Sequence, residues 1–204
     1  MAAGVALLEL FVLEGDESGM RLAGAAGFEP TIIEPHVLER LAGTESPRGP
    51  VAVIGIPELV APSRDAVVLE VTDPGNAGTI VRTAAAFGFD VVARSGSTDL
   101  WSPKVLRAGA GAHFRTRICS AGPASTIAAV IAGGVESRRI GEVLDVDRRW
   151  SILIGSEPHG LSREAVAAAD VRVTIPMPGE TESLNASVAA AIVMYELAEL
   201  RRAQ

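Results

Sequence analysis

Residues 175–195 read IPMPGETESLNASVAAAIVMY. The apolar stretch VRVTIPM (171–177) ends in a polar loop. Within a few residues that loop becomes an apolar helix, NASVAAAIVMYELAELRRA, expected over 186–202. Ser183 and Asn185 stand at the start of this helix. Side-chain oxygens there accept hydrogen bonds from the free N–H groups of a first helical turn. The same loop could equally hold a ligand against the helix end, and these residues alone leave both readings open.

Working back towards the N-terminus, the pattern is regular from residue 66. AVVLEV is an expected strand, closed by the turn TDPGNAG. TIVRTAAAFG is a helix with Gly88 as its stop signal. DVVARS is a strand, SPKVLRAGAGAHF (102–114) a helix, and TRICSA (116–121) a strand or its edge. STIAAVIAGG (125–134) is expected as a helix and ESRRIGEVLDV as a strand-and-loop region. WSILIGS is a strongly apolar strand, SREAVAAAD a short helix capped by Ser162, and VRVTIPM the last strand. Apolar strands alternating with helices imply an α/β fold with a mostly parallel sheet covered by helices on both faces. Ligands of such sheets sit at the carboxyl ends of the strands.

The first 62 residues differ. A glycine-containing loop, EGDESGM, precedes a short strand and helix within FEPTIIEPHVLERLAGT, and VAVIGIPE is another strand. APSRD (61–65) is the best linker, which divides the chain into 1–62 and 63–204. These pieces are too few for a closed sheet and suggest the last part of a small α/β domain.

With 48% apolar residues among 204, the chain can bury a large core, and no apolar run approaches the roughly 20 residues of a membrane span. One cysteine, Cys119, excludes an intramolecular disulfide framework and fits a reducing cytoplasm. The net charge of −7 argues against nonspecific nucleic-acid binding by the whole surface. The charge is uneven, however. Residues 76–117 hold Arg82, Arg94, Lys104, Arg107, Arg115 and Arg117 against Asp90 and Asp99. One basic segment in an acidic chain fits either a localised polyanion site or solvated surface arginines.

Three loops fall at expected carboxyl ends of strands. DPGNAGTIVRTA carries Asn76 and, six residues on, Arg82. LIGSEPHGLS carries Gly155, Ser156, Glu157 and Gly160. IPMPGETESLN carries Ile175, Met177, Ser183, Leu184 and Asn185. Neither GxGxxG nor GxxxxGK[ST] is present, so these are not dinucleotide or P-loop fingerprints. His36, His113 and His159 lack ligand spacing, so no metal is expected.

In order and spacing, Asn76-x5-Arg82, Gly155-x-Glu157-x2-Gly160, and Ile175-Pro-Met177 followed by Ser183-Leu-Asn185 resemble the three motifs of the SPOUT superfamily, SpoU/TrmH-type RNA 2′-O-ribose methyltransferases. SPKVLRAGAGAHF also resembles a helix of that family, and the resemblance covers about residues 66–198. It implies a C-terminal deep trefoil knot and a homodimer whose active site lies near the interface. It also implies S-adenosylmethionine held by the second and third motifs, through Gly155, Ser156, Glu157, Gly160, Ile175, Met177, Ser183, Leu184 and Asn185. Arg82, Asn76, Glu157, Ser183 and Asn185 are then the expected catalytic group. Arg82, Lys104, Arg107 and Arg115 are the expected RNA contacts, with rRNA favoured over tRNA. Residues 1–62 resemble the second half of a ribosomal-protein-like RNA-binding domain, whose first half is expected to be missing. A relative that keeps the fold and both ligands but turns over weakly is the alternative.

On this reading, a ribose hydroxyl is a weak nucleophile near neutral pH, so a base or a field favouring the alkoxide must act. Arg82 is too basic to serve as the base, but its guanidinium can grip a phosphate bidentately beside the target ribose and polarise a neighbouring hydroxyl such as Ser183. Asn76 can position the ribose or Arg82, and Glu157 can orient the loop. Ser183 and Asn185 are expected both to cap the last helix and to face the site.

Overall fold

The computed structural model describes residues 5–42, 46–156 and 160–204. It divides into two compact units, one ending at Glu58 and the other starting at Leu59.

The first unit is a three-stranded sheet with β1 (Leu7–Leu13) in the centre. β2 (Thr31–Ile33) runs parallel on one side and β3 (Val51–Ile54) antiparallel on the other. Helix α1 (Glu17–Ala26) starts inside the segment read as a loop. Asp16 caps it by accepting from the Gly19 amide at 3.0 Å, and Gly27 ends it at φ 62°. A loop reading weighs the glycines and misses the Asp-x-x-Gly cap. Leu10, Val12 and Ala23 form this unit's core, and Leu38 of α2 (Pro35–Ala42) is also buried.

The second unit is built on six parallel strands in the order β5-β4-β8-β6-β9-β7. They are β4 (Ala66–Leu69), β5 (Asp90–Ala93), β6 (Ser125–Val130), β7 (Val135–Glu136), β8 (Trp150–Ile154) and β9 (Val171–Thr174). Side chains alternate across each strand. Val67, Leu69, Ile127, Ile152 and Ile154 point to the main core, where they meet Ile80, Val81 and Ala84 of α3 (Pro74–Phe87). The same core takes Ala190, Val193, Met194 and Leu197 of α6 (Ala186–Arg202). Val68, Val92 and Leu153 point the other way, into a cluster completed by Cys119 and Leu161, both loop residues. α3 also packs on α4 (Pro103–Gly109) through Gly78. A Cβ there would lie 2.4 Å from the Ala108 Cβ and 2.7 Å from the Val105 carbonyl oxygen.

Several sequence expectations need correction. The segment 125–134, expected as a helix, holds β6. It hydrogen-bonds to β8 on one side and β9 on the other, with Ile127 and Ala128 fully buried. Its alanines give it a helical look, but two strand neighbours outweigh local propensity. The helix expected over 102–114 stops at Gly109. Ala110 takes φ 47° and Gly111 φ 79°, and a 3₁₀ turn covers Ala112–Phe114. Residues 116–121 make isolated bridges, Val91 to Ile118 and Val60 to Cys119, instead of a strand. The turn TDPGNAG is the start of α3: Asp73 caps it by accepting from the Asn76 amide at 2.7 Å, and Pro74 opens it. Asn76 is therefore a helical residue.

At the amino ends of the strands, charges are paired, with the carboxylates more buried than their arginines. Asp90, fully buried, accepts from the Ser63 amide and from the Arg64 guanidinium, each at 2.8 Å. Asp65 receives Arg201 of α6 bidentately, at 2.8 and 2.9 Å, and the Trp150 amide at 2.7 Å. The last helix is thereby tied to the first strand of this unit. Among the described residues no helix is long and apolar enough to cross a membrane.

Candidate active site

At the carboxyl ends of β6, β8 and β9 the chain encloses a cavity of about 350 Å³, within the usual range of roughly 300–1,000 Å³ for small-molecule sites. The end of β8 contributes Ile154, Gly155, Ser156 and Gly160. The end of β9 contributes Val173, Ile175 and Met177. The loop before α6 contributes Glu182, Ser183 and Leu184, followed by Ala186 and Ala189. Seven residues expected to bind the cofactor, Gly155, Ser156, Gly160, Ile175, Met177, Ser183 and Leu184, thus converge on one space. The eighth, Asn185, stands beside it as the α6 cap, and Glu157, with Pro158 and His159, lies outside the described residues.

The second loop turns back tightly on itself. The Gly160 amide donates to the Ser156 carbonyl at 2.7 Å, and Gly160 sits at φ 64°. A Cβ on Gly155 would lie 2.1 Å from the Gly160 carbonyl carbon and 2.2 Å from the Leu161 nitrogen. Only glycine lets the two arms of the loop close.

Asn185 joins two of the three loops. Its Oδ1 accepts from the Ser187 amide at 2.9 Å, the Ser187 hydroxyl at 2.7 Å and the Val188 amide at 3.3 Å, capping α6. Its Nδ2 donates to the Asn76 Oδ1 at 2.9 Å, across 109 residues of sequence. Ser183 is exposed and makes no hydrogen bond among the described residues, so it does not cap the helix as expected. The cap falls to the residue adjoining Ala186, and Ser183 is left facing the cavity.

Arg82 lies exposed on α3, about 9 Å along the helix axis from Asn76 at 1.5 Å per residue. Arg82, Lys104, Arg107 and Arg115 are all exposed, and none is ion-paired among the described residues. Arg94, in the same basic segment, is held by Glu70 at 2.7 Å. Gly78, one helical turn before Arg82, packs on α4, which brings Lys104 and Arg107 to the neighbouring helix. His113, just after that helix, is buried against Trp101 with ring centroids 5.5 Å apart. Burial holds its pKa below the ordinary value; the nearby Leu100 carbonyl offsets this in part without reaching hydrogen-bond geometry. Among the described residues no three His, Cys, Asp or Glu side chains converge as a metal site would require.

Sequence reading misses one wall of the cavity, Ala129, Val130 and Ile131 at the end of β6. The helix assignment of 125–134 hides it. A six-residue apolar run followed by Gly133-Gly134 is the available strand signal. Glu182 also lines the cavity, and motif spacing passes over it in favour of its neighbour Ser183.

The SpoU rRNA Methylase family model matches residues 65–195. The chain belongs to this family. It is 29% identical over 196 residues to the 23S rRNA (guanosine(2553)-2′-O)-methyltransferase RlmP of Bacillus subtilis (strain 168), a match spanning 91% of this chain and 79% of that protein. An AdoMet-bound rRNA methyltransferase from Sinorhizobium meliloti superposes with a TM-score of 0.78 at 25% identity, over 96% of this chain and 80% of that one. The SpoU methyltransferase AviRb from Streptomyces viridochromogenes shares the fold at a TM-score of 0.82, with 24% identity over 99% and 86% of the two chains. In this SpoU family member the second and third motifs line the cavity together with the end of β6, and Asn76 of the first motif is hydrogen-bonded to Asn185 beside it.

Proposed function

We propose that this SpoU family protein transfers the methyl group of S-adenosylmethionine to a ribose 2′-hydroxyl of RNA, rRNA in preference to tRNA. The observation that carries the reading is the union of the three motifs. A cavity of cofactor size is closed by two of them and hydrogen-bonded to the helix that bears Arg82. The name of the Bacillus subtilis relative supports the ribose 2′-oxygen and rRNA, and the AdoMet-bound Sinorhizobium meliloti structure supports the cofactor.

In the transfer the hydroxyl oxygen forms a bond to the methyl carbon, the carbon–sulfur bond breaks with its electron pair going to sulfur, and the hydroxyl proton leaves to base or solvent. Gly155, Ser156, Gly160, Ile175, Met177 and Leu184 would hold the donor, with Glu157 orienting the loop. Ser183, exposed at the cavity mouth, would meet the substrate side. Arg82 would grip a phosphate and favour the developing alkoxide, and Lys104, Arg107 and Arg115 would extend the phosphate track. Residues 1–62 would add RNA affinity as part of a ribosomal-protein-like domain. The C-terminal strands and α6 would be threaded as a trefoil knot, and the protein would act in the cytoplasm. Incubation of the purified protein with total RNA and labelled S-adenosylmethionine, followed by nucleoside analysis, tests the reading. A 2′-O-methylnucleoside is expected; label only on a base would sink the ribose assignment.

A homodimer belongs to the same reading. α6 buries Ala190, Val193, Met194 and Leu197, yet Val188 and Tyr195 on another stripe are 45% and 48% exposed. Tyr195 leans on Phe87 of α3, itself 37% exposed, with centroids 5.9 Å apart. An aromatic pair continuous with an apolar helix stripe is a patch that asks for cover. Sedimentation should show a stable dimer at micromolar concentration, and a monomer there would remove it.

Asn185→Ala should act twice. Losing the cap costs about 1 kcal/mol, which lowers Tm by roughly 2–4 °C for a chain of this size. Losing the link to Asn76 frees the first motif from the third, so S-adenosylmethionine affinity should fall as well. Thermal melts and calorimetry on one sample check both, and an unchanged Tm would mean the cap contributes nothing.

A further inference from the structure

Among the described residues lining the cavity, one side chain is ionisable, Glu182. The other polar side chains there are the hydroxyls of Ser156 and Ser183; the rest are aliphatic side chains, Met177 and glycines. Glu182 makes no hydrogen bond or ion pair with any described residue. It does not cap α6, since Asn185 has that role. Glu182 is exposed and has no partner among the described residues, and the rest of the described lining is neutral and largely apolar, so its carboxylate adds a negative field at this space. Low-polarity walls focus that field, so a cationic occupant is preferred to a neutral one of the same shape.

Building on the reading of this cavity as the methyl-donor site, we infer that Glu182 is a charge-selecting residue that favours the sulfonium donor over its neutral thioether product. S-adenosylmethionine carries an ammonium, a carboxylate and a sulfonium, one net positive charge. When the carbon–sulfur bond breaks and its electron pair stays on sulfur, S-adenosylhomocysteine keeps the ammonium and the carboxylate and has no net charge. The two molecules otherwise offer nearly the same surface to the apolar wall. The attraction of Glu182 is thus present while the donor waits and disappears as the methyl leaves, which loads the site with donor and lets product go.

The test is calorimetry of both molecules on the full chain and on Glu182→Gln, an isosteric change that removes only the charge. S-adenosylmethionine should bind about three- to tenfold more weakly to the variant, the scale of a partly solvated charge pair, whereas S-adenosylhomocysteine should stay within about twofold. Glu182→Asp should keep the preference, and it serves as the second variant if Glu182→Gln fails to fold. Equal weakening of both ligands would place Glu182 on the amino-acid or ribose part that they share, and no change in either would leave it outside the site; both results overturn the inference. Wild-type protein that binds neither molecule would instead defeat the reading of the cavity itself.

Discussion

Arg82→Ala should reduce methyl transfer about a hundredfold or more, the usual scale for losing one preorganised electrostatic group. S-adenosylmethionine affinity should stay within about threefold, less than roughly 0.7 kcal/mol. The split follows from where the residue stands. Arg82 is exposed on α3, is not among the residues lining the cavity, and has no ion-pair partner among the described residues. Its guanidinium is therefore available to a phosphate, and on the proposed mechanism its hold on the alkoxide develops only as the methyl moves. An interaction made in the transition state appears in the rate and not in ground-state binding. Lys should be a poor substitute, because a point charge cannot reproduce the fork. Single-turnover rates beside calorimetry measure both halves. Near-normal turnover in the Ala variant would reject the role of Arg82 without touching the family assignment.

Gly155→Ala should abolish cofactor binding, with no saturation at about a hundred times the wild-type Kd, a loss above roughly 2.7 kcal/mol. The new methyl would sit 2.1 Å from the Gly160 carbonyl carbon, 2.2 Å from the Leu161 nitrogen and 2.4 Å from the Gly160 oxygen. All three are backbone atoms, so no rotamer change relieves the clash, and the loop must open. Overpacking of this kind typically costs about 1–3 kcal/mol of stability as well. A folded variant with lost binding is expected, read by circular dichroism and calorimetry together. Affinity close to wild type would mean that the closed form of this loop is not the one that binds.

The regular half of the second unit is legible in the sequence because its signals are local. Strands buried on both faces need no alternation of polar and apolar residues, and the stretches at 66–69 and 150–154 are buried at every position. Gly88 and Ser162 end and start helices as their chemistry requires. The second motif loop is legible for the same reason, since it follows such a stretch; the third follows β9, whose Arg172 is exposed, and is marked instead by its prolines and glycine ahead of the Asn185 cap. What fails depends on partners distant in the chain. Nothing within Ser125–Val130 announces that β8 and β9 will flank it, so its alanines count for helix and the Ala129–Ile131 wall is lost with it. Ala110 takes a left-handed conformation with a side chain that disfavours it, a break that composition does not signal. Ser183 and Asn185 carry equal capping chemistry, and only the point where α6 begins separates their roles.

The hydrogen bond from Asn185 Nδ2 to Asn76 Oδ1 ties the end of the third motif loop, proposed to hold the donor, to the helix that carries Arg82, proposed to meet the RNA. The same amide holds the first turn of α6 through its oxygen, so it cannot shift for one partner alone. A ligand that draws this side chain into a different position acts on both helix starts at once. Linkage is reciprocal: whatever factor the donor imposes on RNA affinity, RNA imposes on donor affinity. On the proposed function, a coupling between the two would run through this asparagine, and measuring each affinity in the presence of the other reads its size directly.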